Sequence, residues 1–177
     1  AHVAQILANY TPIPEEHAFL CGLLHDVGIA GILLVLGDAP RGQDAPPLDN
    51  LWTSIDAAHA KAGGRMVELW GLPAEFGMAV GAHHQIAIEG FDHPLAATIA
   101  IAESVTADLN LGLVPKANTP AAAALMSTGL VVQGLVDETQ KPILERAMQA
   151  VGLSEQMLDL VRDEARQWAE SEAGAKV

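Results

Sequence analysis

The sequence is short of cysteine, of aromatic residues and of positive charge. Among 177 residues there is a single cysteine, Cys21, so no internal disulfide can form. A reducing, cytoplasmic setting is the natural expectation. Phe, Trp and Tyr together make up 4% of the chain, so the core must be built from Ala, Leu, Val, Ile and Met. Lys and Arg number 9 against 22 acidic residues, a net charge of −13. Nucleic-acid binding through phosphate neutralisation needs a basic stripe, so it is not expected of so acidic a chain. Anionic membrane surfaces are disfavoured for the same reason. No uninterrupted apolar run reaches the roughly 18–20 residues needed to span a bilayer. The chemical motifs missing are a Gly-Lys-Ser/Thr phosphate loop, a Gly-x-Ser-x-Gly elbow, a Gly-x-Gly-x-x-Gly turn and a Cys-x-x-Cys pair.

What is present is apolar and helical in pattern. Half the residues are hydrophobic and mean hydropathy is +0.25, which excludes disorder for most of the chain. Residues 1–9 read as the end of a helix, stopped before Thr11-Pro12-Ile13-Pro14. The chain opens in helical pattern without a cap, as though it began inside a longer protein. Pro14 and the acids after it suit a helix start, and that helix runs to His25-Asp26, with Gly28 ending or bending it. Residues 29–36 are apolar on all sides and fit either a buried strand or a buried helix. Residues 37–50 read as an exposed loop. Further helices are expected over Ser54 to Trp70-Gly71, Pro73 to His83-His84, and Pro94 to about Leu109, with a polar link holding Gly90 and Asp92. A loop over 111–120, a short helix over 121–126, and helices over 139–151 and 154–171 complete the pattern. Gly152 is a stop signal and Ser154 a cap. The fold class is all-α, with one helical domain over 1–170 and a frayed tail over 171–177.

Five residues stand out as ligand candidates: His25, Asp26, His59, His83 and His84. Asp oxygen is a hard, bridging donor, and His nitrogen suits transition metals. Taken singly each has a plainer reading. A His-Asp dipeptide is common, a His-His pair often marks a surface helix end, and a lone histidine is usually a satisfied core residue. Together they sit in apolar helices with small neighbours, on separate helices, which is how bundle cores build metal sites. His17, Cys21 and His25 follow one another at i, i+4, i+8 and could line the same cavity, although Cys21 reads as a small buried hydrophobe. His93, before Pro94, belongs at a helix start.

The segment Ala18-Phe19-Leu20-Cys21-Gly22-Leu23-Leu24-His25-Asp26-Val27-Gly28 resembles the signature helix of HD-superfamily metal-dependent phosphohydrolases. His59-Ala60-Lys61-Ala62-Gly63-Gly64, then Leu69-Trp70-Gly71-Leu72-Pro73, resembles the next block of the HDOD branch. His83-His84 and the helix through Leu95 to Glu103 follow in the order of that family, and Ala150 to Glu155 is similar to its closing helices. The resemblance implies an HD-type helical bundle whose ligands meet in one cavity. Active relatives hold one or two divalent ions there. It implies His25, His59, His83 and His84 as nitrogen ligands and Asp26 as the bridging, candidate catalytic residue. Glu103 stands where the family has its last carboxylate, normally Asp. The ion would be Fe, Mn, Mg or Zn.

Three departures from the family pattern bear on activity. The upstream histidine falls before the first residue, and His2 is out of register, though it could substitute. Ile29 stands where a basic residue usually follows His-Asp-x-Gly. Gln85-Ile86-Ala87 replaces the Gly-Tyr-Pro of the cyclic-dinucleotide phosphodiesterases. HDOD domains also carry a further helical half ahead of this segment. The expected function is a bacterial signalling or regulatory module, acting through protein partners or a bound ligand. The alternative is a metal-dependent phosphohydrolase acting on a phosphorylated small molecule. The plainest is a bundle whose buried histidines pair with carboxylates and bind nothing.

Overall fold

Proline and glycine punctuation divides the chain into helices, and a computed structural model places them. It describes residues 1–38, 48–109, 111 and 141–174. The helices are α1 (His2–Ala8), α2 (Glu15–Leu24), α3 (Val27–Gly37), α4 (Leu48–Leu69), α5 (Ala74–Ala82), α6 (Pro94–Asp108), α7 (Lys141–Val151) and α8 (Glu155–Gly174). The all-α expectation holds, with one addition: a two-stranded antiparallel hairpin, β1 (Ala87–Ile88) and β2 (Phe91–Asp92). The loop over 111–120 and the short helix over 121–126 lie outside the described residues apart from Leu111.

The punctuation acts through identifiable caps. Gly71 takes a φ of 76° after α4, Gly71 N–H bonds to the Glu68 carbonyl, and Leu72 N–H reaches back to Val67 at 3.4 Å. This is a Schellman stop, which favours glycine at the left-handed position. Gly152 ends α7 in the same way, with Leu153 N–H on the Met148 carbonyl at 2.9 Å. Ser154 caps α8 by accepting from the Met157 N–H. His93 caps α6, its ring nitrogen accepting from the Ala96 N–H, with Pro94 in the first turn.

Four boundaries differ from the sequence pattern. α4 begins at Leu48, not Ser54, because Ile55 and His59 are buried one turn apart and Leu51 extends the same row one turn back. The apolar stretch 29–36 is helical, but it is not buried all round. Among the described elements α3 packs mainly on α4, which leaves Leu34 74% and Val35 76% exposed. The polar link at Gly90 and Asp92 is the hairpin turn; Glu89 and Gly90 both have positive φ, as a two-residue turn requires. The expected tail 171–177 is helical as far as Gly174.

Two apolar clusters form the core, and α6 belongs to both. One joins Leu7 of α1, Ala97, Ile101 and Val105 of α6, Met148 of α7, and Leu158 and Val161 of α8. The other joins Cys21 of α2, Val67 of α4, Phe76 and Val80 of α5, and Leu95, Ala96 and Ile99 of α6. Burying each Leu, Ile or Phe contributes about 1.5–3 kcal/mol. α6 is therefore apolar nearly all round because nearly all round it is covered. Glu103 is a carboxylate on this central helix.

α2 and α3 follow one another so closely that Glu15–Gly37 reads as one stretch of 23 residues with mean hydropathy 2.2. By length and composition it is able to cross a membrane. The uninterrupted run is shorter because His25-Asp26 divides it. Those two residues lie against His59 of α4, His83 just after α5 and Glu103 of α6, contacts that a bilayer-embedded stretch would forfeit.

Candidate metal centre

Glycines set the distances between the helices that carry the site. At Gly28, near the start of α3, a Cβ would stand 1.9 Å from the His59 carbonyl oxygen and 2.6 Å from Gly63 N. Backbone contact between α3 and α4 brings the His25-Asp26 corner against His59. At Gly64 a Cβ would stand 2.6 Å from the Gly77 carbonyl oxygen, and this contact of α4 with α5 brings His59 beside His83 and His84. Glu103 arrives from α6. Six side chains from four separate parts of the chain then meet.

Two groups of three result. His59, His83 and His84 have ring nitrogens within 4.8 Å of one another, and so do the donor atoms of His25, Asp26 and Glu103. Asp26 stands between the groups. Its Oδ1 lies 3.2 Å from His59 Nε2 and 3.9 Å from His83 Nε2, and its Oδ2 lies 3.2 Å from His25 Nε2. Glu103 Oε1 is 3.5 Å from His25 Nε2 and 3.8 Å from His83 Nε2. In the all-nitrogen half His59 and His83 are buried but His84 is the most exposed of the six, while His25, Asp26 and Glu103 are all partly buried.

The backbone fixes how three of the rings point. His25 Nδ1 lies 3.0 Å from the Gly22 carbonyl, His59 Nδ1 2.6 Å from that of Asp56, and His83 Nδ1 2.7 Å from that of Val80. A carbonyl only accepts, so each Nδ1 carries the hydrogen and donates it. Each Nε2 is thereby turned towards the site with its lone pair available. His83 Nε2 is buried and has no hydrogen-bond partner. His84 Nε2 approaches His59 Nε2 at 3.0 Å.

Lone pairs facing carboxylate oxygens at these distances need a positive charge between them, either protons or a metal ion. Without metal, protons serve. Burial opposes charge on His25 and His59, but the hydrogen bond and charge of Asp26 outweigh it and raise both above the ordinary histidine value. Burial also opposes charge on Asp26, and hydrogen bonds from His25 and His59 overcome it, holding the carboxyl well below the usual range. His83 goes the other way. Burial, then the neighbouring His84, pushes it down to about 3, so it is neutral and ready to ligate. Burial pushes Glu103 up to about 7, with His25 working against the rise. The donor set, nitrogens with two carboxylates and one buried vacant nitrogen, fits a divalent transition ion, with the carboxylate side also suited to a harder one.

The remaining expectations divide. His17 is not in the cavity: it lies 3.5 Å from Glu75 and edge-on to Phe76. Eight residues along a helix carry a side chain about 12 Å down the axis, so only His25 of that row reaches the site. Cys21 is a buried core residue, as its surroundings imply. His2 packs against Trp168 and Phe19 and is not brought to the cluster. Sequence reasoning missed the carbonyls of Gly22, Asp56 and Val80. Their shared signal is position: each lies three residues before its histidine.

Residues 1–86 match the family model of the HDOD domain. The span takes in five of the six clustered side chains and ends before Glu103. Comparisons with curated proteins and with solved structures each gave no match.

Proposed function

We propose, from the HDOD match of residues 1–86, that this chain is a regulatory module of a signalling protein with a metal-binding centre. The observation that carries the metal reading is His83 Nε2. It is buried and unpartnered, and its ring is locked by Val80 so that its lone pair faces Asp26 and Glu103. Such an atom in a fully protein-satisfied core would be costly. His59, His83, His84 and Asp26 would hold one ion, and His25, Asp26 and Glu103 a second. The regulatory reading draws on Ile29 in place of a cation and on Gln85-Ile86-Ala87 after the histidine pair. Its partner would be another cytoplasmic protein of the same pathway.

A second reading is favoured by one observation. His25, Asp26, His84 and Glu103 each keep part of their side chains in solvent, where a phosphorylated small molecule would have access. There the ions would supply charge neutralisation for phosphate-ester hydrolysis. Asp26 would help hold both ions, and the buried His59 and His83 would keep water from their own side of the site.

The test is metal content per chain, by plasma mass spectrometry on protein purified without added metal or affinity tag. Roughly one or two equivalents are expected, lost in His59→Ala and Asp26→Ala. A chain that holds no metal and takes up none on titration sinks the reading. Phosphate-ester turnover that disappears in Asp26→Asn, with the fold intact, would favour the enzyme over the module.

A further inference from the structure

The chain leaves His83 and His84 through one strained residue. Ile86 has a φ of 53°. That left-handed conformation is rare for a β-branched side chain, whose Cβ crowds the following carbonyl. Strain of this kind persists only where surrounding structure over-determines it. Here three constraints do so. The Ile86 side chain is fully buried, in the same cluster as Ala97, Ile101 and Met148. Its N–H donates to the Ala82 carbonyl at 2.7 Å, closing the end of α5. Its own carbonyl accepts from the His93 N–H at 2.7 Å, and His93 is the cap of α6. One residue therefore ties the end of the helix before His83-His84 to the start of the helix that carries Glu103.

We propose that Ile86 is a positioning residue of the histidine cluster. Its anchored left-handed turn holds His84 against His59 and keeps the histidine pair in register with Glu103. For its metal readout this rests on the metal-binding reading above; for its metal-free readout it does not.

The test compares matched truncations in the full chain. Ile86→Ala removes the anchor while the left-handed backbone stays unfavourable. Leu158→Ala truncates an equally buried side chain of the same cluster, on α8, which carries no site residue. The readouts are Co2+ affinity, the Co2+ absorption spectrum, and the imidazole 15N shifts of His59 and His84 in metal-free protein. Ile86→Ala should weaken Co2+ binding at least about tenfold, as loss of a supporting residue does. It should also alter the spectrum and shift both imidazoles. Leu158→Ala should lower Tm comparably and leave all three readouts at parent values. Ile86→Gly accepts the left-handed backbone without strain and covers the case in which the Ala variant does not fold; the same losses are expected. Parent imidazole shifts and affinity within about twofold in an Ile86 variant would overturn the proposal. So would equal losses in Leu158→Ala. A parent chain that takes up no Co2+ overturns the metal-binding reading instead, and the imidazole shifts then decide for or against Ile86.

Discussion

His83 and Val80 are joined by a hydrogen bond of 2.7 Å in which the ring Nδ1–H donates to the backbone carbonyl. The bond fixes the tautomer and leaves Nε2 as a buried acceptor with nothing to accept from. Two other histidines repeat the arrangement with Gly22 and Asp56. Rings oriented in this way by a second partner are how metal-binding histidines are usually held.

Replacing His83 by Ala should therefore weaken metal binding by at least about a hundredfold, above the range seen for supporting residues. His17→Ala should leave it unchanged, since His17 lies with Glu75 and Phe76. Calorimetric titration of both variants with Zn2+ or Mn2+ checks this, and equal affinities would count against His83 as a ligand.

Gly28→Ala should destabilise the fold by about 1–3 kcal/mol, the ordinary range for overpacking. The added carbon would sit 1.9 Å from the backbone oxygen of His59, which has no flexible end to move away. Tm should fall by several degrees for a chain of this size. Metal affinity should fall as well, because relief of the clash separates Asp26 from His59. An unchanged melting curve would show that α3 and α4 are further apart than described.

Glu103 gives a pH dependence in metal-free protein. Its carboxyl ionises near 4.5 when unfolded and is pushed up to about 7 when folded. Between those values the folded chain holds a proton that the unfolded chain has released. Its contribution to stability is therefore present below pH 4.5 and lost as pH rises towards 7. Glu103→Gln removes the titration. The Tm difference between parent and variant should drift in the variant's favour from pH 4.5 to 7.5. A difference independent of pH would mean that Glu103 does not feel the burial described.

Cys21 should be inert. It is fully buried, and burial together with Glu75 pushes its thiol up to about 12. At pH 8 a disulfide reagent should leave the folded chain unmodified and label one thiol per chain once guanidinium is added. Stability should fall from pH 9 towards 12, where the unfolded thiol has lost its proton and the folded one has not. Prompt labelling of the folded chain would contradict the placement of α2.

Much of the site was legible before any coordinates. His25-Asp26, His59 and His83-His84 lie in apolar helices with small neighbours, and the structure brings all five together with Glu103. The errors came from elements decided by packing. Ser54 is a good cap by residue type, yet α4 starts earlier because a row of apolar residues continues upstream. The run after Gly28 has no polar side to expose, yet with α4 as its main described neighbour its outer side is bare. His17 shares a helical row with His25 and still misses the cavity.

Residue type and spacing alone pointed to the all-helical class, the stops at Gly71 and Gly152, the helix start at His93, the cap at Ser154, and His25, Asp26, His59, His83 and His84 as candidate donors; Glu103 came only from the family resemblance. These depend on backbone preferences within a few residues, which sequence expresses directly. Which donors share which half of the site, which ring nitrogen is free, and which carboxylate is pushed up rather than down were decided by tertiary structure. Those properties depend on distances of a few ångströms between segments up to about eighty residues apart, and on how much water packing removes. Ile86 shows the limit most plainly. Nothing in Gln85-Ile86-Ala87 marks a left-handed turn, and only the core that buries its side chain makes that conformation affordable.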